Sequence, residues 1–437
     1  MRHKVAVNDD LPANLEINAE FKAAFDLMED TKDCIFITGK AGTGKSTLLK
    51  YFKANTNKKI VILAPTGVAA INVGGQTIHS FFKFPPKIID KDAIRRLHNR
   101  NMVEKLDTVI IDEVSMVRAD LMDGIDHALR INRDEMKKPF GGVQMIFFGD
   151  LFQLCPVVER EAKEILAEKY STPYFFSAKA FKTLDIKYIE LSKIYRQKDG
   201  KFVSLLNRLR NKEHTEDDLK TLNGRVRKYS VDTAKDTTVI LTTTNSLAGA
   251  INQDRLAKLS GKEFVYEATV TGKFGESAYP TDVSLKLKKD AQVILIKNDP
   301  NKQWVNGTLG KIASLTHDSI KVDIDGSICE VPMVKWQKIE YSYNEDEDKI
   351  EDETVGTFEQ CPIKLAWAIT IHKSQGQTFD KVILDLGHGA FTHGQVYVAL
   401  SRCTRLEGIR LKRPVIHSDI IFDRRIYEFK DRFASLL

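Results

Sequence analysis

The 437 residues carry 66 Lys and Arg against 60 Asp and Glu, a net charge of +6, with 42% apolar and 29% charged side chains. That length allows two or three packed cores, no stretch approaches the roughly 18 apolar residues of a spanning helix, and the Met-Arg-His-Lys-Val start lacks the apolar run of an export signal. Cysteines at 34, 155, 329, 361 and 403 are scattered and never C-x-x-C, which argues against a disulfide framework or zinc site and predicts a reducing, cytoplasmic setting with no membrane partner.

Within residues 1 to 33, Phe21, Ala24, Phe25 and Met28 fall at i, i+3, i+4 and i+7, the spacing of one apolar helix face. An apolar run from Cys34 then enters Gly39-Lys-Ala-Gly-Thr-Gly-Lys-Ser46, the G-x-x-x-x-G-K-S pattern. Gly39, Gly42 and Gly44 let the backbone curl until successive N–H groups face inward around phosphate oxygens. Lys45 meets the β/γ charge, Ser46 offers a hydroxyl to Mg²⁺, and the helix predicted from Ser46 through Lys53 turns its positive end on the same anion.

Continuous apolar runs recur at 60–64, 108–111 and 143–148, then at 239–243, 364–370 and 382–386, separated by helix-length segments. Runs that do not alternate suggest parallel strands buried on both faces, and hence two α/β lobes. Residues 74–101 form an insertion in the first lobe, where Phe81, Phe82, Phe84, Pro85 and Pro86 precede Arg95, Arg96, His98 and Arg100. The two prolines end any helix or central strand there. Residues 260–358 differ in texture, with short β-like runs at 293–296, 320–324 and 328–331. The turn pairs Asn306-Gly307 and Asp325-Gly326 make this stretch an inserted, hairpin-rich module. The charged run Asn344 to Glu353 reads as a solvated loop.

Nucleotide hydrolysis needs more than a cradle, and Ile110-Ile111-Asp112-Glu113 has the Walker B form. Asp112 would hold Mg²⁺ through water, and Glu113 would orient or deprotonate the attacking water. Gln153, ending Phe148-Gly-Asp-Leu-Phe-Gln153, is placed to reach a γ-phosphate or its water. Arg196, in Leu191-Ser-Lys-Ile-Tyr-Arg196-Gln, and Arg402, in Tyr397-Val-Ala-Leu-Ser-Arg402, are candidates to close from a facing lobe onto the equatorial oxygens. These residues leave open a DNA-independent ATPase or switch, although no Asn-Lys-x-Asp guanine signal occurs, and a degenerate ATPase carrying a binding module.

Taken in order, residues 39–46, 62–70, 74–82, 110–117, 149–153, 193–197, 371–378 and 397–402 resemble the motifs of superfamily 1 helicases, and their wording is closest to the Pif1 family of 5′-to-3′ DNA helicases. The resemblance implies two RecA-like P-loop lobes with parallel sheets, a wedge insertion at 74–101 and an SH3-like β insertion at 260–358. The first lobe would span 1–187 and the second 188–259 with 359–437. It further implies ATP and Mg²⁺ as cofactors, bound through Gly39, Ala41, Gly42, Thr43, Gly44, Lys45, Ser46, Thr47, Gln375 and Gly376 with metal at Ser46 and Asp112. Gln153, Arg196 and Arg402 would sense or neutralise the γ-phosphate. Pro65, Thr66, Thr77, His79, Phe81, Thr243, Asn245, His372 and Lys373 would meet single-stranded DNA, with Phe82 beside Phe81 either stacking on bases or forming the base of the wedge. The partners implied are single-stranded DNA, single-strand/duplex junctions and G-quadruplexes, engaged by a monomer. A RecD-like subunit of a repair nuclease shares most of these motifs and stays open as the alternative. In place of the glutamine that usually recognises adenine stands Phe21.

Overall fold

The computed structural model describes residues 17–434, apart from 86, 157, 159, 198 and 228–236. Its first sheet has six strands in the order Gln76–Thr77, Ile60–Ala64, Thr108–Ile111, Gln144–Phe148, Cys34–Gly39, Ile186–Leu191. Every neighbouring pair runs parallel. Alternate residues of the inner strands feed two cores. Ile35, Ile37, Ile62, Ile110, Ile146 and Phe148 meet Phe21, Ala24, Phe25 and Met28 of the helix Ala19–Asp30 and Leu48, Leu49 and Phe52 of the helix Lys45–Asn55. Phe36, Val61, Leu63, Val109, Ile111 and Phe147 meet Met122, Ile125 and Leu129 of the helix Ala119–Arg133 on the other face. Burial on both faces is why these strands are apolar throughout, each large side chain contributing about 1.5–3 kcal/mol.

The second sheet has four parallel strands in the order Ala368–Thr370, Val239–Thr242, Val382–Asp385, Ile409–Leu411. The apolar run at 364–370, expected to form one strand here, is divided between two sheets. Ile363–Leu365 pairs antiparallel with Val293–Leu295 of the inserted module, and only Ala368–Thr370 joins the parallel sheet. Trp367, in the module's core, separates the two pieces. Apolar character reports burial but not which sheet provides it.

The inserted module has a five-stranded antiparallel sheet, in the order Ser327–Glu330, Ile320–Ile324, Leu309–Leu315, Gln292–Leu295, Ile363–Leu365. Asp325 and Gly326 close its tightest hairpin with φ of 50° and 91°, the two left-handed residues that a two-residue turn of this twist needs. A second unit is the long hairpin Val334–Asn344/Lys349–Gln360, with Thr269–Gly272 on its edge.

The run Asn344 to Glu353 is therefore not a loop but the tip and returning strand of this hairpin, which docks on the first lobe. The Gln76–Thr77 strand pairs only with Leu63 and Ala64, leaving Ile62 at an open edge. There the Ile62 N–H donates to the Tyr341 hydroxyl at 3.1 Å. Lys59 pairs with Asp348 at 2.6 Å, Lys83 with Glu340 at 3.2 Å, and Asn101 donates to Glu345 at 3.1 Å. A two-stranded ribbon with both faces largely wet has no apolar alternation, so its charges resemble those of a loop.

Residues 74–101 include the short helix Ile78–Phe82 and are tied to the Ala119–Arg133 helix, Ile89 N–H donating to Asp120 and Leu97 N–H to Asn132. The C-terminal helix Arg425–Ala434 returns to the first sheet, where Phe429 stacks on Phe176 and Lys430 pairs with Glu190 at 2.9 Å.

Candidate nucleotide site between the lobes

The loop after the Cys34–Gly39 strand takes its shape from three glycines at φ of 156°, 85° and 89° (Gly39, Gly42 and Gly44). At Gly42 a side chain is excluded twice, by the left-handed backbone and by Arg196, whose Cβ would lie 2.5 Å from an added Cβ. The Lys45 ammonium donates to the carbonyls of Gly39 at 2.7 Å and Lys40 at 3.2 Å, folded back across the loop it is expected to serve.

Ala41, Gly42, Thr43, Gly44, Lys45, Ser46, Thr47, Glu113, Gln153, Arg196, Gly376 and Arg402 line one cavity of about 610 Å³, joined by Phe21, Tyr195 and Thr378. Gly39, Asp112 and Gln375 do not line it, although Asp112 and Gln375 each precede a residue that does. Asp112 is 9% exposed, and the Gln375 amide nitrogen lies 3.5 Å from the Gln153 amide oxygen. Glu113 sits at φ 49°, ψ 42°, a left-handed conformation uncommon outside glycine that turns its carboxyl into the cavity.

Charge in this cavity is unbalanced. Burial, then Glu113, pushes the Asp112 carboxyl up to about 7, and burial raises Glu113 against the pull of Lys45 and Arg402. Burial lowers Lys45 and Arg196, and burial with Arg196 as neighbour brings Arg402 down to about 9. Arg402 is 1% exposed, with its guanidinium on the Val398 and Ser374 carbonyls and the Ser401 hydroxyl. Arg196 donates to the Gly376 carbonyl, and its Nη1 is buried with no partner. Three cations around a glycine cradle suit a triphosphate. Two adjacent carboxyls raised by burial despite the pull of Lys45, with the Ser46 hydroxyl lining the same cavity as Glu113, suit a divalent cation.

The residues expected on DNA are not drawn into this cavity. Thr66 and Thr77 cap the short helices Gly67–Asn72 and Ile78–Phe82, accepting from Ala69 and Ser80 N–H. Asn245 opens the helix Asn245–Lys258 and is exposed, as is Lys373, while Pro65, Thr77, His79 and His372 are half-buried and Thr243 is buried. Burial holds both histidines below the usual imidazole range, so the cation among these residues is Lys373. Phe81 requires correction as a stacking residue. Phe81 and Phe82 are 4% and 3% exposed, and Phe81 faces Phe82 and Tyr341 instead of solvent, because the hairpin covers this side of the helix.

Sequence reasoning missed Tyr195, Thr378, Tyr397, Asp150 and Arg210. The Tyr397 hydroxyl accepts from Ala41 N–H at 3.2 Å, so the second lobe touches the cradle directly. Tyr195, Thr378, Tyr397 and Asp150 lie in or against the motif segments, where neighbouring residues took the attention. Arg210 lies in none of them.

Two parallel sheets with a glycine cradle on one, Arg402 reaching it from the other and Arg196 from the segment that leaves the first sheet, define a two-lobed P-loop NTPase. A sequence profile described as "PIF1-like helicase" matches residues 16–221. The chain is 32% identical to the ATP-dependent DNA helicase Pif1 of Bdellovibrio bacteriovorus, over 97% of this chain and 93% of that one. It is 34% identical to human ATP-dependent DNA helicase PIF1 over 86% of its own length, spanning 58% of the human protein. The crystal structure of Bacteroides sp Pif1 with ADP-AlF4 superposes with a TM-score of 0.89 at 38% identity, covering 97% of this chain and 98% of that one. Bacteroides Pif1 bound to single-stranded DNA gives 0.69 at 37% identity, with 97% and 98% coverage. The chain belongs to the PIF1-like helicase family.

Proposed function

We propose that this protein is an ATP-dependent DNA helicase that moves 5′ to 3′ along single-stranded DNA and opens duplex or folded DNA ahead of it. The observation that carries the reading is the cavity in which Arg402 of the second lobe, and Arg196 from the segment that leaves the first sheet, face Lys45 and the glycine cradle. Such a site is complete only while the lobes are together, so nucleotide occupancy is tied to their relative position. Lys45, Arg196 and Arg402 would hold the phosphates, Glu113 would orient water, and Gln153 with Gln375 would link phosphate to DNA. Ser46 and Asp112 would hold Mg²⁺, which supplies charge neutralisation at the phosphates when bound.

The polymer proposed is single-stranded DNA, entered at single-strand/duplex junctions or G-quadruplexes, gripped by a monomer through Pro65, Thr66, Thr77, His79, Thr243, Asn245, His372 and Lys373. Neutral groups with Lys373 position phosphates without reading bases, as a strand that must slip requires. Near-complete coverage of proteins named Pif1 helicase favours this over a RecD-like subunit. Among the described residues no helix is long and apolar enough to cross a membrane. Strand displacement on matched 5′-tailed and 3′-tailed duplexes tests the proposal. Unwinding is expected with the 5′ tail, and activity confined to the 3′ tail would reject the polarity.

A further inference from the structure

The loop carrying Gln153 belongs to the first lobe, yet the second lobe encloses it. Arg210, in the helix Gly200–Asn211, donates through Nη2 to Asp150 Oδ1 at 3.1 Å, and its guanidinium carbon lies 3.7 Å from the centre of the Phe152 ring. Asp150 Oδ1 also accepts from Phe152 N–H, and Oδ2 accepts from the Gln153 amide at 3.1 Å. That bond assigns the Gln153 amide nitrogen to Asp150 and leaves its oxygen toward Gln375. Behind the loop, His393 takes the Asp423 N–H on Nδ1 and meets the Leu151 carbonyl with Nε2 at 3.2 Å. A Cβ on Gly394 would lie 2.5 and 2.6 Å from the Phe152 and Gln153 carbonyls, so the next helix starts pressed against the loop. That helix, Gln395–Ser401, carries Tyr397 to the cradle and ends at Arg402.

Asp150 and Arg210 are 1% and 5% exposed, and Arg210 Nε has no partner. A buried pair of this kind contributes little stability over an apolar pair of the same volume, so stability alone does not account for it. Geometry does. Asp150 is also the leading attraction on the Lys45 ammonium, and with Arg210 removed its charge would compete with phosphate for that lysine.

We propose that Arg210 is a positioning residue for nucleotide turnover, holding Asp150 so that Gln153 presents its amide oxygen to the cleft and the sensor loop stays in register with the second lobe. This rests on the ATPase reading above, which the wild-type rate on DNA tests separately. An isosteric change probes the orientation. In Asp150→Asn one oxygen can still accept from Arg210, but the new NH₂ faces the Gln153 NH₂ and forces the glutamine to turn over.

Steady-state ATP hydrolysis with saturating single-stranded DNA, on samples whose folded fraction is measured by thermal melting, decides the matter. We expect kcat to fall at least ~10-fold in Asp150→Asn and ~30-fold in Arg210→Met, with KM for ATP within ~3-fold for Asp150→Asn, and Arg210→Lys to regain most of the rate. Should Arg210→Met fail to fold, Asp150→Asn and Arg210→Lys carry the test. A folded Asp150→Asn with kcat within twofold of wild type, or losses that only track the folded fraction, would overturn the proposal.

Discussion

The two halves of the nucleotide site are built on different principles. The cradle is eight consecutive residues, Gly39 to Ser46, whose shape follows from three glycine φ values and whose donors are backbone amides. The cover is a set of residues from 195 to 402, of which Gly376, Thr378 and Arg402 come from the second lobe while Tyr195 and Arg196 lie just past the last strand of the first sheet. The cradle exists wherever the first lobe is folded, but the cover exists only at one disposition of the two lobes. Affinity should therefore reside mainly in the first half and turnover in the second.

The largest effect should come from Lys45→Ala, which removes the one charged side chain of the cradle that lines the cavity. DNA-stimulated kcat/KM for ATP is expected to fall by ~10³-fold or more, with the circular dichroism spectrum unchanged. A loss below tenfold would mean that the cover binds phosphate without the cradle.

Arg402→Met tests the opposite half. Loss of an arginine that closes on the γ-phosphate is expected to cost ~10²–10³-fold in kcat, the scale of one preorganised donor, while nucleotide affinity changes by less than ~10-fold. The sign of the stability change discriminates further. Burial and Arg196 hold Arg402 down to about 9, so charging it costs more in the folded than in the unfolded chain, and at neutral pH it destabilises the cleft when no nucleotide is bound. Arg402→Met should then melt at the same temperature as wild type or slightly higher without nucleotide, and lower than wild type with it. A lower melting point in both conditions would show that Arg402 is a structural ion-pair partner.

Selectivity for the base sharpens the comparison, because neither half reads it strongly. Phe21 and Tyr195 line the cavity. The nearby Asn18 amide is already engaged, its oxygen by Phe21 N–H and its nitrogen by the Tyr195 hydroxyl. Hydrolysis of ATP and GTP should differ by less than ~10-fold in kcat/KM, and Phe21→Gln should move the ratio toward ATP. A wild-type preference for ATP above ~100-fold would disprove this and place an edge-reading group elsewhere.

The same division explains what was legible in the sequence. The cradle, Asp112-Glu113 and the non-alternating strands are local patterns, so the inner strands of both parallel sheets and half of the site could be read directly, whereas the edge strand Ile186–Leu191 of the first sheet falls across the boundary expected at 187. Arg196 and Arg402 are ordinary arginines until the surrounding motifs give them context. Arg210 and the hydroxyl of Tyr397 have no local signature at all, since their partners lie 60 and 356 residues away. Phe81 misled because an exposed stacking ring and a buried core ring share a composition, and the difference is set by a hairpin more than 250 residues later. The 364–370 run misled because a strand's apolarity does not name its sheet.

The docked hairpin should give the smallest effect. Its contacts with the first lobe combine the rings of Tyr341 and Tyr343, set against Phe81 and under Lys59 and Lys105, with a few polar bonds, of which the partly exposed Lys59–Asp348 pair is worth ~0–1 kcal/mol. The Tyr341 hydroxyl on the edge at Ile62 is the buried member, and losing it is worth ~1 kcal/mol. The chain superposes on Bacteroides Pif1 without DNA better than on the same protein bound to single-stranded DNA, with TM-scores of 0.88 and 0.69. If docking belongs to the DNA-free arrangement, Tyr341→Phe weakens that arrangement alone and should tighten single-stranded DNA binding by up to ~5-fold in a fluorescence titration, leaving ATP affinity unchanged. Weaker DNA binding would instead make the hairpin part of the DNA grip.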